Sequence, residues 1–174
     1  MTLALDKAKT DTEVEVDSVD TDVAEDEKPL TQDDIVASTL KELGMTKQDA
    51  YDVVEAIFTR GEYREVVPVR KDLSVTLRTR TAREEMRLKE ELIRAGDMAV
   101  WERNYLVQVH NLATSLVSLG ETVVTDAATD VAYKERREFV LNLPAMLMDV
   151  LIRNLATFDM KVMVSCQDPL LRDF

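Results

Sequence analysis

Apolar residues recur at helical spacing over most of the chain and alternate with polar ones in one short stretch. Thr31 lies three residues before Asp34 and leads into Ile35, Val36, Leu40 and Leu43; Gly44 follows as a stop. Thr46 and Asp49 repeat the device ahead of Val53, Val54, Ile57 and Phe58, which are expected on one face, and Gly61 closes that segment. The spacing predicts a helix pair over 31–60. Beyond it, Leu73, Val75 and Leu77 alternate with Ser74, Thr76 and Arg78, a period of two that predicts a β-hairpin of 62–70 and 73–80 around Lys71-Asp72. Pro68 cannot donate to a ladder, so its strand belongs at an edge. Arg70, Lys71, Arg78 and Arg80 are expected to place positive charge on the hairpin's outer side.

Helical spacing then resumes. Thr81 and Glu84 have the form of a capping box, predicting a helix to about Ala95 before Gly96. Asp97 is expected to cap the longest stripe: Met98, Trp101, Tyr105, Val109, Leu112, Leu116 and Leu119, ending at Gly120. A short strand is expected at 122–124 and a helix over about 126–142. Pro144 suits the first turn of a last helix carrying Met146, Leu147, Val150, Leu151, Leu155 and Phe158. Residues 167–174 read as an extended tail. The expected fold is mainly α, of the α+β type: a helical domain with one small antiparallel β-hairpin and a disordered acidic N-terminal tail. It divides into a tail at 1–30, the helix pair at 31–60 and a hairpin-plus-helical part at 61–174, with 31–174 taken as one domain.

Charge sharpens this division. Residues 1–30 hold ten carboxylates against three lysines and no aromatic residue, so ordering entropy should outweigh what they can bury. The whole chain of 174 residues carries 34 acidic and 22 basic side chains, for a net charge of -12. That balance disfavours phosphate-backbone binding. Nor does any uninterrupted apolar run reach the roughly 18–20 residues of a membrane helix. Without an apolar leader core, and with one cysteine, the expected compartment is the cytoplasm.

Candidate chemistry is sparse. A single His and a single Cys exclude multi-His and Cys-rich metal centres. His110 lies beside the Val109/Leu112 stripe with no serine elbow or Gly-rich phosphate loop to serve, and reads as a boundary or surface histidine. Cys166 reads as a small buried hydrophobe. The pairs Glu84/Glu85 and Glu90/Glu91 are adjacent on a helix and do not face each other. With Arg83, Arg87, Lys89 and Arg94 they make a mixed-charge solvated face, as does the run Lys134–Glu138. Met146, Met148, Met160 and Met163 suit either a core or an adaptable partner groove. Neither a catalytic residue nor a cofactor, metal or small-molecule ligand is expected.

Two resemblances extend the reading. Thr31-Gln-Asp-Asp-Ile-Val-Ala-Ser-Thr-Leu40, with Leu43-Gly44 and Thr46-Lys-Gln-Asp-Ala50, resembles the opening helix pair of the bacterial histone-like nucleoid proteins over 31–58. The Gly- and Phe-rich strand and basic arm of that family are absent, so only the helix packing carries over. The layout of 61–174 is similar to that of small tail-assembly or baseplate-hub accessory proteins of tailed bacteriophages. The likeness rests on the hairpin ending Leu77-Arg-Thr-Arg80, the charged helix at 81–95, the phrase Asn111-Leu-Ala-Thr-Ser-Leu-Val-Ser-Leu-Gly-Glu121, and a closing segment from Arg137. It implies a non-enzymatic role as tail or baseplate assembly chaperone or minor structural subunit. Its partners would be phage tail or baseplate proteins, or a second copy of the chain, in the host cytoplasm and then in the virion. The apolar faces around Leu112, Leu116, Met146, Val150 and Leu151 are the expected partner-binding surface. The alternative is a nucleic-acid-associated or regulatory protein using the 31–60 helix pair and the arginines at 70, 78 and 80.

Overall fold

The computed structural model describes residues 31–124 and 129–167; the acidic segment at 1–30 and the expected C-terminal tail from 168 on lie outside them. The fold is mainly α with one small antiparallel sheet. In chain order its elements are α1 (Gln32–Glu42), α2 (Lys47–Arg60), β1 (Arg64–Arg70), β2 (Leu73–Arg78), α3 (Ala82–Ala95), α4 (Val100–Ser115), β3 (Leu116–Leu119), β4 (Thr122–Val123), α5 (Asp130–Leu141) and α6 (Ala145–Ser165).

Local chemistry sets the helix starts. In α1, α2 and α3 the threonine before the helix accepts the backbone N–H three residues on, and the carboxylate there accepts the threonine's own N–H. At Thr46 and Asp49 these bonds measure 3.1 and 2.7 Å. Each such cap contributes about 1 kcal/mol. Asp97 does not cap α4: the chain enters at Ala99, whose N–H donates to the Glu102 carboxylate at 3.1 Å. Thr129 caps α5. Pro144 stands just ahead of α6, where its carbonyl accepts the Met148 N–H and its missing donor is not needed.

The sheet is larger than the expected hairpin. Its order is β1-β2-β3-β4, all neighbours antiparallel, with β2 in the interior. Pro68 lies on the edge strand β1 as its missing N–H requires. The stripe assigned to one helix down to Leu119 instead breaks at Ser115, and Leu116–Leu119 pairs with β2. Spacing alone could not separate these outcomes, because Leu112, Leu116 and Leu119 satisfy helical steps while Val117 suits a strand equally well. Two tertiary contacts favour the strand. The buried Arg136 of α5 donates to the Thr114 and Leu116 carbonyls at 3.0 and 2.8 Å, groups a continuing helix would have used internally. Gly120, at φ 58°, then turns the chain into β4, and an added Cβ there would meet Leu73 Cδ1 at 3.2 Å.

The main core lies between the sheet and α4, α5 and α6. Val75 and Leu77 from β2 meet Val109, Leu112, Leu116, Val140, Leu151, Leu155 and Phe158. Phe158 stacks on Tyr63 with centroids 5.8 Å apart. A second cluster of Val36, Leu40 and Ala50 closes on Val164 near the end of α6, so that helix serves both. Phe58, expected on one face of α2 with Val53 and Val54, is exposed; Ala50, Val53, Val54 and Ala56 make the buried face.

Candidate interaction surface and buried polar network

The five residues expected to meet a partner separate into two groups. Leu112, Leu116 and Leu151 are fully buried in the main core, which removes them from any free surface. The reason is α6: it packs against α4, β1 and β2, filling the volume that the sequence left open to another chain. Val150 is half-buried and Met146, at 84 % exposed, stands in solvent. Met160 and Met163 are exposed as well, while Met148 belongs to the core.

An uncovered apolar surface lies elsewhere, at the start of α4. All the residues α4 buries come from Val109 onward. Ahead of that point Trp101 is 70 % exposed and Tyr105 47 %, with Val100 and Ile93 also in solvent near the α3–α4 corner. Met98, Trp101, Tyr105, Leu106 and Leu141 line an open groove of about 250 Å³, with Glu102 and Arg137 as its charged members. Leu106 and Leu141 were not part of the best-defined apolar stripe; Met98, Trp101 and Tyr105 were visible in it. That only the second half of the stripe would find an internal partner was not.

Inside the molecule the structure builds a polar network that the sequence reading had placed on the surface. Arg78 is buried and pairs through its guanidinium with both carboxylate oxygens of Glu84, itself buried at the start of α3. Burial pushes the Glu84 carboxyl up, but the Arg78 pair and the Thr81 N–H and hydroxyl outweigh it and hold the group below the usual carboxylate range. Arg80 is mostly buried: its Nε donates to Glu85 at 2.6 Å and its Nη1 to Asp159 and Ser115 at 3.1 Å. Burial raises the Asp159 carboxyl despite that neighbour. Two of the three arginines proposed to face nucleic acid are thus internal, and Arg70 is exposed beside Asp72. The Lys134–Glu138 run is not wholly solvated either, since Arg136 is buried.

His110 is 1 % exposed, not a surface residue. Its Nε2 lies 3.0 Å from the Glu84 carbonyl and its Nδ1 2.8 Å from the Tyr133 hydroxyl. Burial holds the imidazole below its usual range, although the Glu84 carbonyl and the charges of Glu91 and Glu85 favour the cation. Cys166, expected in the core, is exposed just past the end of α6.

A depressed histidine predicts a pH dependence whose sign is fixed. The neutral imidazole stabilises the fold above the unfolded value of about 6.5, and that contribution is lost as the pH falls from there through the folded value. Urea midpoints measured from pH 7.5 to 5.5 are expected to decline in the native protein and to flatten in His110→Gln.

Among the described residues no group of three or more His, Cys, Asp or Glu side chains is arranged to hold a metal ion. No single described helix is long and apolar enough to cross a membrane. No protein family, curated protein or solved structure matches this chain.

Proposed function

We propose that the chain is a non-enzymatic assembly protein of a tailed phage, acting through protein–protein contacts as a tail or baseplate assembly chaperone or minor structural subunit. The observation that supports a contact-making role is the groove at the start of α4. Trp and Tyr offer large apolar area at small entropic cost and are enriched where interfaces concentrate their binding energy. Burying the faces of Trp101 and Tyr105 with Met98 and Leu141 would stabilise a complex at about 25 cal/mol per Å² removed from water. The strongly acidic segment at 1–30 would keep such a complex soluble. The phage setting rests on the layout likeness of 61–174.

The test is co-expression with candidate tail-tube, tape-measure and baseplate proteins, followed by light scattering of the purified product. A discrete complex supports the proposal. A clean monomer that leaves every such protein insoluble overturns it. Trp101→Ala is expected to weaken the complex by about 30-fold, the effect of a hot-spot side chain, while moving stability by no more than about 0.5 kcal/mol. Nucleic-acid association has less support, because Arg78 and Arg80 are committed internally. Salt-sensitive retention on DNA would restore it.

A further inference from the structure

We propose that Glu91, Tyr133 and His110 form a proton relay between solvent and the interior, so that acid acts on the joint where α3, α4 and α5 meet. The geometry starts from an acceptor that cannot donate. The Glu84 carbonyl, 3.0 Å from His110 Nε2, requires the hydrogen to sit on Nε2. In the neutral ring Nδ1 is therefore an acceptor, and the group facing it is the Tyr133 hydroxyl at 2.8 Å. That hydroxyl also lies 3.3 Å from Glu91 Oε2. It has one proton and two acceptors, so its direction reports which neighbour holds the extra charge.

Two arrangements follow. With a neutral ring, Tyr133 O–H donates to Nδ1. With a protonated ring, Nδ1–H donates to the Tyr133 oxygen and the hydroxyl turns to the Glu91 carboxylate. Passage between them is balanced: a proton taken from solvent by Glu91 is passed to the Tyr133 oxygen as the phenolic proton moves to Nδ1. The net change is one proton gained by the imidazole, with phenol and carboxylate restored.

The relay has an outlet. Tyr133 and Glu91 line a polar cleft of about 290 Å³ between α3 and α5, shared with Arg87, Glu90, Arg94 and Lys134 among others. The charges around the ring are mixed. From α3, Glu85 and Glu91 favour the cation, and Glu84 faces it with its carbonyl while its carboxylate is held by Arg78 of β2. Arg80 opposes the cation. On the phenol side, Arg87 lies 4.8 Å over the Tyr133 ring and pairs with Asp130 at 2.5 Å; it and Arg137 of α5 favour ionisation of the phenol, but burial and the Glu91 carboxylate oppose it and prevail. The phenol therefore stays protonated, as a relay needs.

The chain's one histidine makes the test clean. Long-range ¹⁵N–¹H spectra of the full chain are expected to show the Nε2–H tautomer at pH 7.5; the Nδ1–H tautomer overturns the proposal. On acidification the Tyr133 Cζ resonance should move with the imidazole midpoint in the native protein, a readout that needs no variant. A Cζ shift independent of that midpoint also overturns it. Glu91→Gln is expected to lower the midpoint by about half a unit or more, and Tyr133→Phe to remove most of that dependence. Equal effects of Glu91→Gln with and without the phenol would mean simple charge attraction through space, and no relay.

Discussion

Glu84→Gln is expected to destabilise the fold by about 3–5 kcal/mol, the cost of removing one partner from a buried ion pair. The pair is enclosed: the Arg78 and Glu84 side chains are 6 % and 9 % exposed. Arg78 sits at the end of the interior strand β2, and Glu84 in the first turn of α3, so the pair ties sheet to helix. Gln keeps the shape and can still reach the Thr81 N–H, which isolates the lost charge from the lost cap. The readout is the denaturant midpoint, with a fall in Tm on the order of 10 °C for a chain of this size. Glu90→Gln, on the exposed side of the same helix, is expected to stay within about 0.5 kcal/mol. A Glu84→Gln variant as stable as that control would mean the pair is dispensable.

The same variant carries a pH signature. Because the Glu84 carboxyl is held low in the fold, its contribution is present above the unfolded value of about 4.3 and is lost as pH falls through the folded value. Acid unfolding of Glu84→Gln should lack that component. The loss begins near 4.3, below the value of about 6.5 at which the His110 contribution begins to fall, so the two onsets are distinguishable in one titration series.

Phe158→Ala is the second large effect, at about 3–5 kcal/mol from lost transfer energy and the cavity left behind. Phe158 is 1 % exposed and stacks on Tyr63, which leads into β1. Its removal empties the place where α6 meets the sheet. Met146→Ala, in the same helix but in solvent, is expected to change stability by no more than about 0.5 kcal/mol. If both variants unfold at the same denaturant concentration, the core does not depend on this contact.

These contrasts also show what could be read without coordinates. The starts of α1, α2 and α3 were legible because a threonine and the carboxylate three residues on settle the matter between themselves. So was the β1–β2 hairpin, where alternation and a polar pair lie within a few residues. Strand β3 was not, since Leu112, Leu116 and Leu119 keep helical steps and the decision for a strand belongs to Arg136 and β2. The buried state of His110 was equally hidden: its partners stand 26 positions before it and 23 after it. The partner surface failed in the other direction. Leu112, Leu116 and Leu151 were expected at a partner surface and found one another and α6, while Trp101 and Tyr105, in the same stripe as Leu112 and Leu116, found no cover.

The interior position of β2 has a consequence for how the chain is made. Its pairing with β1 needs only a two-residue turn and can form as soon as both strands have emerged during synthesis. Its other edge must wait: Thr76 meets Ser118, 42 positions later, after all of α3 and α4 has been translated. For that interval Val75 and Leu77 sit on a strand with an open edge, a template for pairing with another nascent chain. Slowing translation between α3 and β3 should therefore raise aggregation, and speeding it should protect the fold.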